Sequence, residues 1–221
     1  AVMGLAWVYF TDGPVMGVIG AGLAAWLFVG TCTELAGRVR LFQGPFGESL
    51  NRLRRTPRAA WGMTCAHLGL AIAIAGMTGA GAWRTESIQA MKPGDTVTVA
   101  GYSFEFGGVG TSRGPNYEIV SGTFRVTRDG APVVTLHPEK RVYDVSKRPT
   151  TEAAIHPTFF GDLYVVVGDK GPDGAYVTRI YFNPLVSWMW MGVLIMVGGG
   201  TISLTDRRHR IGAPAKRSAP T

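Results

Sequence analysis

Three transmembrane α-helices with one all-β extracytoplasmic domain, a small barrel or sandwich, inserted between the second and third: this is the fold class the sequence predicts, from three observations. Of 221 residues 46% are hydrophobic, with a formal charge of +7, which suits neither a disordered chain nor an ordinary soluble domain. Apolar windows at Val15 to Cys32, Trp61 to Ala82 and Leu185 to Leu204 approach the roughly 20 residues that a ~30 Å hydrocarbon core demands. Between the last two windows the hydrophobic pattern changes to a period of two, bounded by turn residues.

In chain order, residues 1–60 hold a partial helix, the first span and a basic loop. Residues 61–83 form a span bearing a histidine, 84–184 the β-domain, 185–204 the last span and 205–221 a basic tail. The opening "AVMGLAWVYFTDGP" begins with alanine and has no charged stretch ahead of its apolar run, so it does not read as a signal peptide. We expect it to be the cut edge of a longer chain. Its apolar decapeptide is too short to cross alone, and Asp12, Gly13 and Pro14 punctuate it.

Orientation follows from the cations. Residues 33–60 carry six arginines against Glu34 and Glu48, and the tail carries Arg207, Arg208, Arg210, Lys216 and Arg217 against Asp206. Both segments are expected on the cytoplasmic side. Residues 83–184 balance their charges and form the translocated part. The basic excess thus reports topology and contact with anionic lipid, not nucleic-acid binding.

The β-domain shows its strands by alternation. In "DTVTVAGYSFEFGGV", Val97 and Val99 and then Tyr102, Phe104 and Phe106 fall on one face. "YEIVSGTFRVTRDGAPVVTL" gives two more strands joined at Asp129-Gly130, a hairpin signal, and "DLYVVVGDKGPDGAYVTRIYF" repeats the pattern around Asp173-Gly174. Six to eight short strands are expected.

Cys32 and Cys65 lie toward the cytoplasmic side of their spans, and no C-x-x-C occurs, so no structural disulfide or thiol-exchange motif is expected. Cys65 and His67 point about 200° apart on a helix and cannot share a metal. His67 sits about 9 Å inside its span from Trp61, too deep for its short side chain to reach the interface. An ionisable residue there faces a bundle interior or a polar cavity. It is either a neutral imidazole bonded to a neighbouring helix or a haem ligand or proton relay. Ala66, Gly69, Ala71, Ala73 and Gly76 leave a shallow face that suits close helix packing and a flat macrocycle alike.

Taken in order, "AHLGLAIAIAG", "GDTVTVAGYSFEFGGV", "GPNYEIVSGTFRV", "LHPEKRVYDV", "TEAAI", "DLYVVVG" and "NPLVSWMWMG" resemble the C-terminal third of CcmF, the membrane haem lyase of bacterial cytochrome c maturation. The resemblance implies that His67 is one axial ligand of a stable b-type haem, haem b, whose iron it binds, with the other ligand on a span nearer the N-terminus. It implies a bacterial inner membrane protein with its β-domain in the periplasm. Implied partners are the remainder of the haem lyase chain, the haem chaperone CcmE, a CcmH-type apocytochrome-handling protein, apocytochrome c and a membrane quinol. The tryptophan-rich WWD segment and periplasmic histidines of that family are absent from this chain, so the piece is not expected to ligate haem alone.

Asn116, Tyr117, Glu139, Lys140 and Arg141 fall in loops or strand ends, with Glu152 set to face Arg141. A solvated turn and a charged strand edge explain them; docking of the chaperone or apocytochrome is the functional reading. His137 and His156 each precede proline, which favours extended loop structure, and His156 is read as surface; His209 falls in the tail. Trp188 and Trp190 suit an aromatic belt, and the resemblance adds that they help line the site where haem and apoprotein meet. No Ser-His-Asp triad or paired carboxylate points to hydrolysis. The competing readings are a non-enzymatic membrane-anchored scaffold of an assembly complex and a quinone-linked b-type cytochrome subunit.

Overall fold

The computed structural model describes residues 14–206; the opening decapeptide, Asp12, Gly13, the basic residues of the tail from Arg207 onward and His209 lie outside them. Four helices and ten strands occur among the described residues: α1 (Val15–Arg38), α2 (Phe46–Arg54), α3 (Arg58–Ala82), strands β1 to β10 from Thr85 to Pro184, and α4 (Val186–Leu204). They divide into two units. One comprises residues 18–75 and 189–206, the other 14–17 and 76–188.

In the first unit the helices follow from near-continuous apolar sequence. Three helices, α1, α3 and α4, are long and apolar enough to cross a membrane; at about 1.5 Å per residue the 25 residues of α3 cover roughly 37 Å. Three of their threonine hydroxyls are satisfied one turn back inside their own helices. Thr31, Thr64 and Thr201 each donate to the carbonyl four residues back, at 2.7, 3.0 and 2.8 Å, as a medium without water requires. α2 lies inside the basic loop with Glu48 in its first turn and Arg52 and Arg54 in its last, an order that complements the helix dipole. At the start of α3 the Ala59 N–H donates to the Asp206 carboxylate at 3.0 Å, which caps a terminus whose amides otherwise lack partners.

α3 and α4 run antiparallel with backbones in near contact. A Cβ built on Gly62 would lie 2.5 Å from the Gly199 carbonyl oxygen, and one on Gly199 2.7 Å from the Ala66 nitrogen. The small face of α3 that includes Ala66, Gly69 and Ala73 is therefore filled by a helix. Spacing by seven residues puts Gly62 and Gly69 on that face and Gly192 and Gly199 on its partner.

The second unit carries the β-domain, two sheets closed over one core. β1 (Thr85–Met91), β10 (Tyr176–Pro184), β9 (Gly161–Lys170) and β8 (Ala154–Pro157) form a four-stranded sheet in that order. The other sheet runs β2 (Thr96–Val99), β3 (Tyr102–Arg113), β4 (Tyr117–Arg128), β6 (Glu139–Tyr143) and β7 (Pro149–Glu152), with β5 (Ala131–Leu136) also on β4. Phe104, Phe106, Phe124, Val126 and Leu136 from the larger sheet meet Met91, Leu163, Val165 and Ile180 from the smaller. The alternation in "VTVAGYSFEF" is the core pattern: Val99, Tyr102, Phe104 and Phe106 are buried, Thr96 and Thr98 exposed.

Two hairpins use positive φ at both central residues, 50° and 80° at Ala100-Gly101 and 51° and 78° at Asp129-Gly130, as the right-handed strand twist prefers. The strand count exceeds the expected six to eight. β6 and β7 lack the alternation of the core strands, and pairing with a neighbour decides their structure.

Candidate functional site

His67 lies on the side of α3 away from α4. Its Nδ1 is 2.8 Å from the Met63 carbonyl oxygen, one turn earlier. A carbonyl only accepts, so Nδ1 carries the proton, and in the neutral ring Nε2 keeps its lone pair. The backbone thus fixes one tautomer and orients the ring, as second-shell partners of metal-bound histidines do.

The imidazole opens on a cleft of about 310 Å³ whose walls are Trp26, Leu27, Gly30, Thr31 and Glu34 of α1 and Met63, Thr64 and His67 of α3. Trp26, Gly30 and Glu34 repeat at four-residue intervals and share a face of α1. Sequence reading missed these residues; the polar pair Thr31 and Glu34 near the end of an apolar run was the available signal. Glu34 is ion-paired with Arg38 on its own helix. Cys65 faces α4, with its Cβ 3.0 Å from a Cβ built on Gly199, on the other side of the helix from the cleft. Among the described residues no group of three or more His, Cys, Asp or Glu side chains is placed to hold a metal ion.

A haem iron takes a neutral imidazole as an axial ligand. The cleft offers that donor with aromatic and aliphatic walls, so the residues present fit one axial position of a haem.

The two tryptophans of "SWMWMG" differ in environment. Trp188 is half-buried; its Nε1–H donates to the Phe159 carbonyl at 3.0 Å and its ring lies 5.6 Å from that of Phe159. Trp190 is 65% exposed.

Asn116, Tyr117, Glu139, Arg141 and Glu152 gather where β4, β6 and β7 pair. Tyr117 is opposite Tyr143, Ile119 opposite Arg141, and Glu139 opposite both Ser121 and Glu152, so the side chains of Tyr117, Glu139, Arg141 and Glu152 share one face. The Arg141 guanidinium lies 5.1 Å from the centre of the Tyr117 ring. The Asn116 carbonyl closes the adjoining turn by accepting from the Asp144 N–H at 3.0 Å. Lys140 points to the opposite face, half-buried in an ion pair with Asp169 of β9.

The expected Arg141–Glu152 partnership is corrected. Arg141 places Nε and Nη2 on Glu139 Oε2, at 2.9 and 2.7 Å, because residues two apart on a strand share a face, whereas β7 puts Thr150 opposite Arg141. The Arg141 pKa is raised chiefly by its hydrogen bond to Glu139, with Glu152 a smaller contributor. Likewise His156 is not in a loop: it is half-buried in β8 opposite Leu163. His137 is exposed, its Nδ1 3.4 Å from the Thr123 hydroxyl.

Comparison with known proteins gives one consistent set of relatives. The family described as CcmF C-terminal beta-sandwich matches residues 82–184. The cytochrome c-type biogenesis protein ccl1 of Rhodobacter capsulatus is 41% identical over 99% of this chain and 32% of its own length. CycK of Rhizobium meliloti is 42% identical over 92% of this chain and 30% of its own, and CcmF of Escherichia coli 36% over 98% and 32%. The chain thus spans about a third of the length of the curated relatives it matches. A solved structure described as Cytochrome c Heme Lyase CcmF shares the fold, with a TM-score of 0.69 and 18% identity over 92% of this chain and 33% of that one.

Proposed function

The chain belongs to the CcmF family, and on that premise we propose that it forms the C-terminal part of a membrane haem lyase that joins haem to apocytochrome c through thioether bonds, with His67 an axial ligand of a stable b-type haem. The tautomer of His67 carries this reading: Nδ1–H held on Met63 O presents Nε2 as a ready donor. Met63 and Trp26 give the donor an apolar setting, and a neutral imidazole is the form that ligates iron.

When bound, a b-type haem supplies one-electron redox chemistry, for which membrane quinol is the proposed reductant. The contribution of this chain is positional. α3 fixes the height of the donor, the Met63 carbonyl fixes ring rotation, and the close α3–α4 contact at the glycines holds α3 in place. The substrates are a haem delivered by the chaperone CcmE and the thiols of a C-x-x-C-H apocytochrome handed over by a CcmH-type partner. In the joining step each thiol sulfur bonds one vinyl carbon and its proton goes to the other.

In this reading α1, α3 and α4 cross the bacterial inner membrane, with 84–184 in the periplasm and 33–60 and 205–221 in the cytoplasm. The face carrying Tyr117, Glu139, Arg141 and Glu152, with Asn116 in the adjoining turn, docks a maturation partner, with Lys140 bracing it from behind. Trp188 and Trp190 lie beside the haem delivery site.

The test is His67→Ala in the full-length protein, read by oxidised and reduced optical spectra and by holocytochrome c yield. Loss of the b-haem Soret band with most holocytochrome is expected, while His156→Ala retains both. Unchanged haem content in His67→Ala would remove the ligand assignment and favour a scaffold.

A further inference from the structure

The outward face of the four-stranded sheet carries a polar pocket that neither the haem site nor the partner face uses. Arg84 comes just after the last residue of α3, Ala82, and Asn183 just before the first of α4, Val186. Tyr181 stands opposite both Glu86 and Tyr164, and Asn183 opposite Asp162, so these side chains share the face turned from Leu163, Val165 and Ile180. Arg84, Tyr164, Tyr181 and Asn183 line a cavity of about 280 Å³.

Its chemistry suits an oxyanion. The guanidinium of Arg84 lies 5.4 Å from the centre of the Tyr181 ring, and the rings of Tyr164 and Tyr181 meet edge-on at 5.7 Å. That stacking orients a fork of donors. Glu86 approaches Arg84 only to 3.6 Å, with both side chains about half exposed, a contact too weak to occupy the cation. The Asp162 carboxylate accepts from the Asn183 amide at 2.7 Å, so it already has a partner other than Arg84.

The pocket's depth is set by its neighbours in the chain. Residues adjoining the ends of two span-length helices sit at the headgroup level, where tyrosines and cations collect. A second observation points the same way. The loop at 158–161 is tied to the start of α4 by Leu185 N–H donating to Phe160 O at 2.8 Å, Ser187 Oγ–H to Thr158 O at 2.9 Å and Trp188 Nε1–H to Phe159 O at 3.0 Å. That tethered loop leaves Phe159 57% and Phe160 68% exposed. Exposed aromatic rings beside a cationic pocket match the acyl boundary and the phosphate that one phospholipid presents.

We propose that Arg84, Tyr164, Tyr181 and Asn183 form a binding site for the phosphate of a phospholipid headgroup. The site rests on α3 and α4 crossing the bilayer and is independent of the haem assignment. It would tie the β-domain to the membrane surface.

The full-length protein, stripped of lipid, is titrated in native mass spectrometry with phosphatidylglycerol, phosphatidylethanolamine and a diacyl glycolipid that has the same chains and no phosphate. Both phospholipids should bind the wild type, and the glycolipid about tenfold more weakly, on the scale of one charge-assisted contact. Arg84→Gln should weaken the phospholipids by about tenfold and Arg84→Lys by less, while Arg179→Gln, on the same sheet face, leaves them unchanged. The difference between variants separates this pocket from annular lipid, and melting without lipid checks that each variant folds. Glycolipid binding as tight as phospholipid, or Arg84→Gln binding like wild type, overturns the proposal. Displacement of the lipid by excess inorganic phosphate would identify a free-anion site instead. Resistance to carbonate extraction tests the spans separately, and optical spectra test the haem reading.

Discussion

Gly69 of α3 and Gly192 of α4 are in backbone contact: a Cβ on Gly69 would lie 2.6 Å from the Gly192 carbonyl oxygen, and one on Gly192 2.5 Å from that of Gly69. Gly62 and Gly199 repeat the contact two turns along. Lipid tails are as apolar as leucine, so helices in a bilayer associate through such close packing.

Gly192→Val should therefore push the helices apart and cost on the order of 1–3 kcal/mol or more, the range for overpacking. Gly198→Val is the control, because a Cβ there meets nothing within 4 Å. Unfolding of the full-length protein in denaturing detergent reads the difference; equal stability of the two variants would contradict the contact.

Local signals in the sequence went far toward the fold and less far toward the site. The core strands were legible because buried Tyr102, Phe104 and Phe106 alternate with the polar, half-buried Ser103 and Glu105, and the Asp129-Gly130 hairpin because its turn type demands positive φ. β7 was not legible: its four residues are all exposed, and only pairing with β6 makes them a strand. At His67 the spacing to Met63 is a matter of helical period. The opposing wall of Trp26, Thr31 and Glu34 comes from a helix some forty residues away, a distance no local pattern spans. The small face of α3 was ambiguous for a related reason. A glycine and alanine stripe fits a helix and a macrocycle equally, and only α4 decides.

Asp162 gives a pH signature. Burial raises its pKa, with the Asn183 amide a smaller opposing influence, so the folded domain binds its proton more tightly than the unfolded chain does. That contribution to stability is full below the ordinary carboxylate value of about 4 and is lost as pH rises through the raised folded value, the reverse of a salt-bridged carboxylate. Melting of the β-domain in the full-length protein should show this loss on the way from about pH 4 upward. Asp162→Asn, which cannot ionise, should flatten the slope. An identical pH profile in that variant would exclude Asp162 as its source.

Membrane orientation has a direct test in two exposed positions. Val145, in the turn after β6, is 96% exposed and Phe42, in the basic loop, 93%. With Cys32 and Cys65 replaced by alanine, Val145→Cys in intact spheroplasts should react with an impermeant thiol reagent, and Phe42→Cys only after permeabilisation. The reverse pattern would invert the topology drawn from the arginines of 33–60.

Trp188 and Trp190 should respond unequally to the same change. Trp188→Phe keeps an aromatic ring against Phe159 but deletes the N–H that the Phe159 carbonyl accepts at 3.0 Å, a loss of about 1 kcal/mol. One kcal/mol of local opening is roughly a fivefold change in the open population, and the loop it opens contains Phe159 and Phe160, both chymotrypsin sites. Chymotrypsin should then cut the 158–161 loop of detergent-solubilised full-length Trp188→Phe about five times faster than wild type, if reclosing outpaces cleavage. Trp190→Phe changes an exposed ring that has no such tie to the loop and should leave the rate within a factor of about two. Equal acceleration in both would show that the loop is held by the general anchoring of α4 and not by the Trp188 N–H. The same variants separate structure from delivery: holocytochrome c that falls in Trp188→Phe while the b-haem spectrum is retained places that ring beside the incoming haem rather than beside His67.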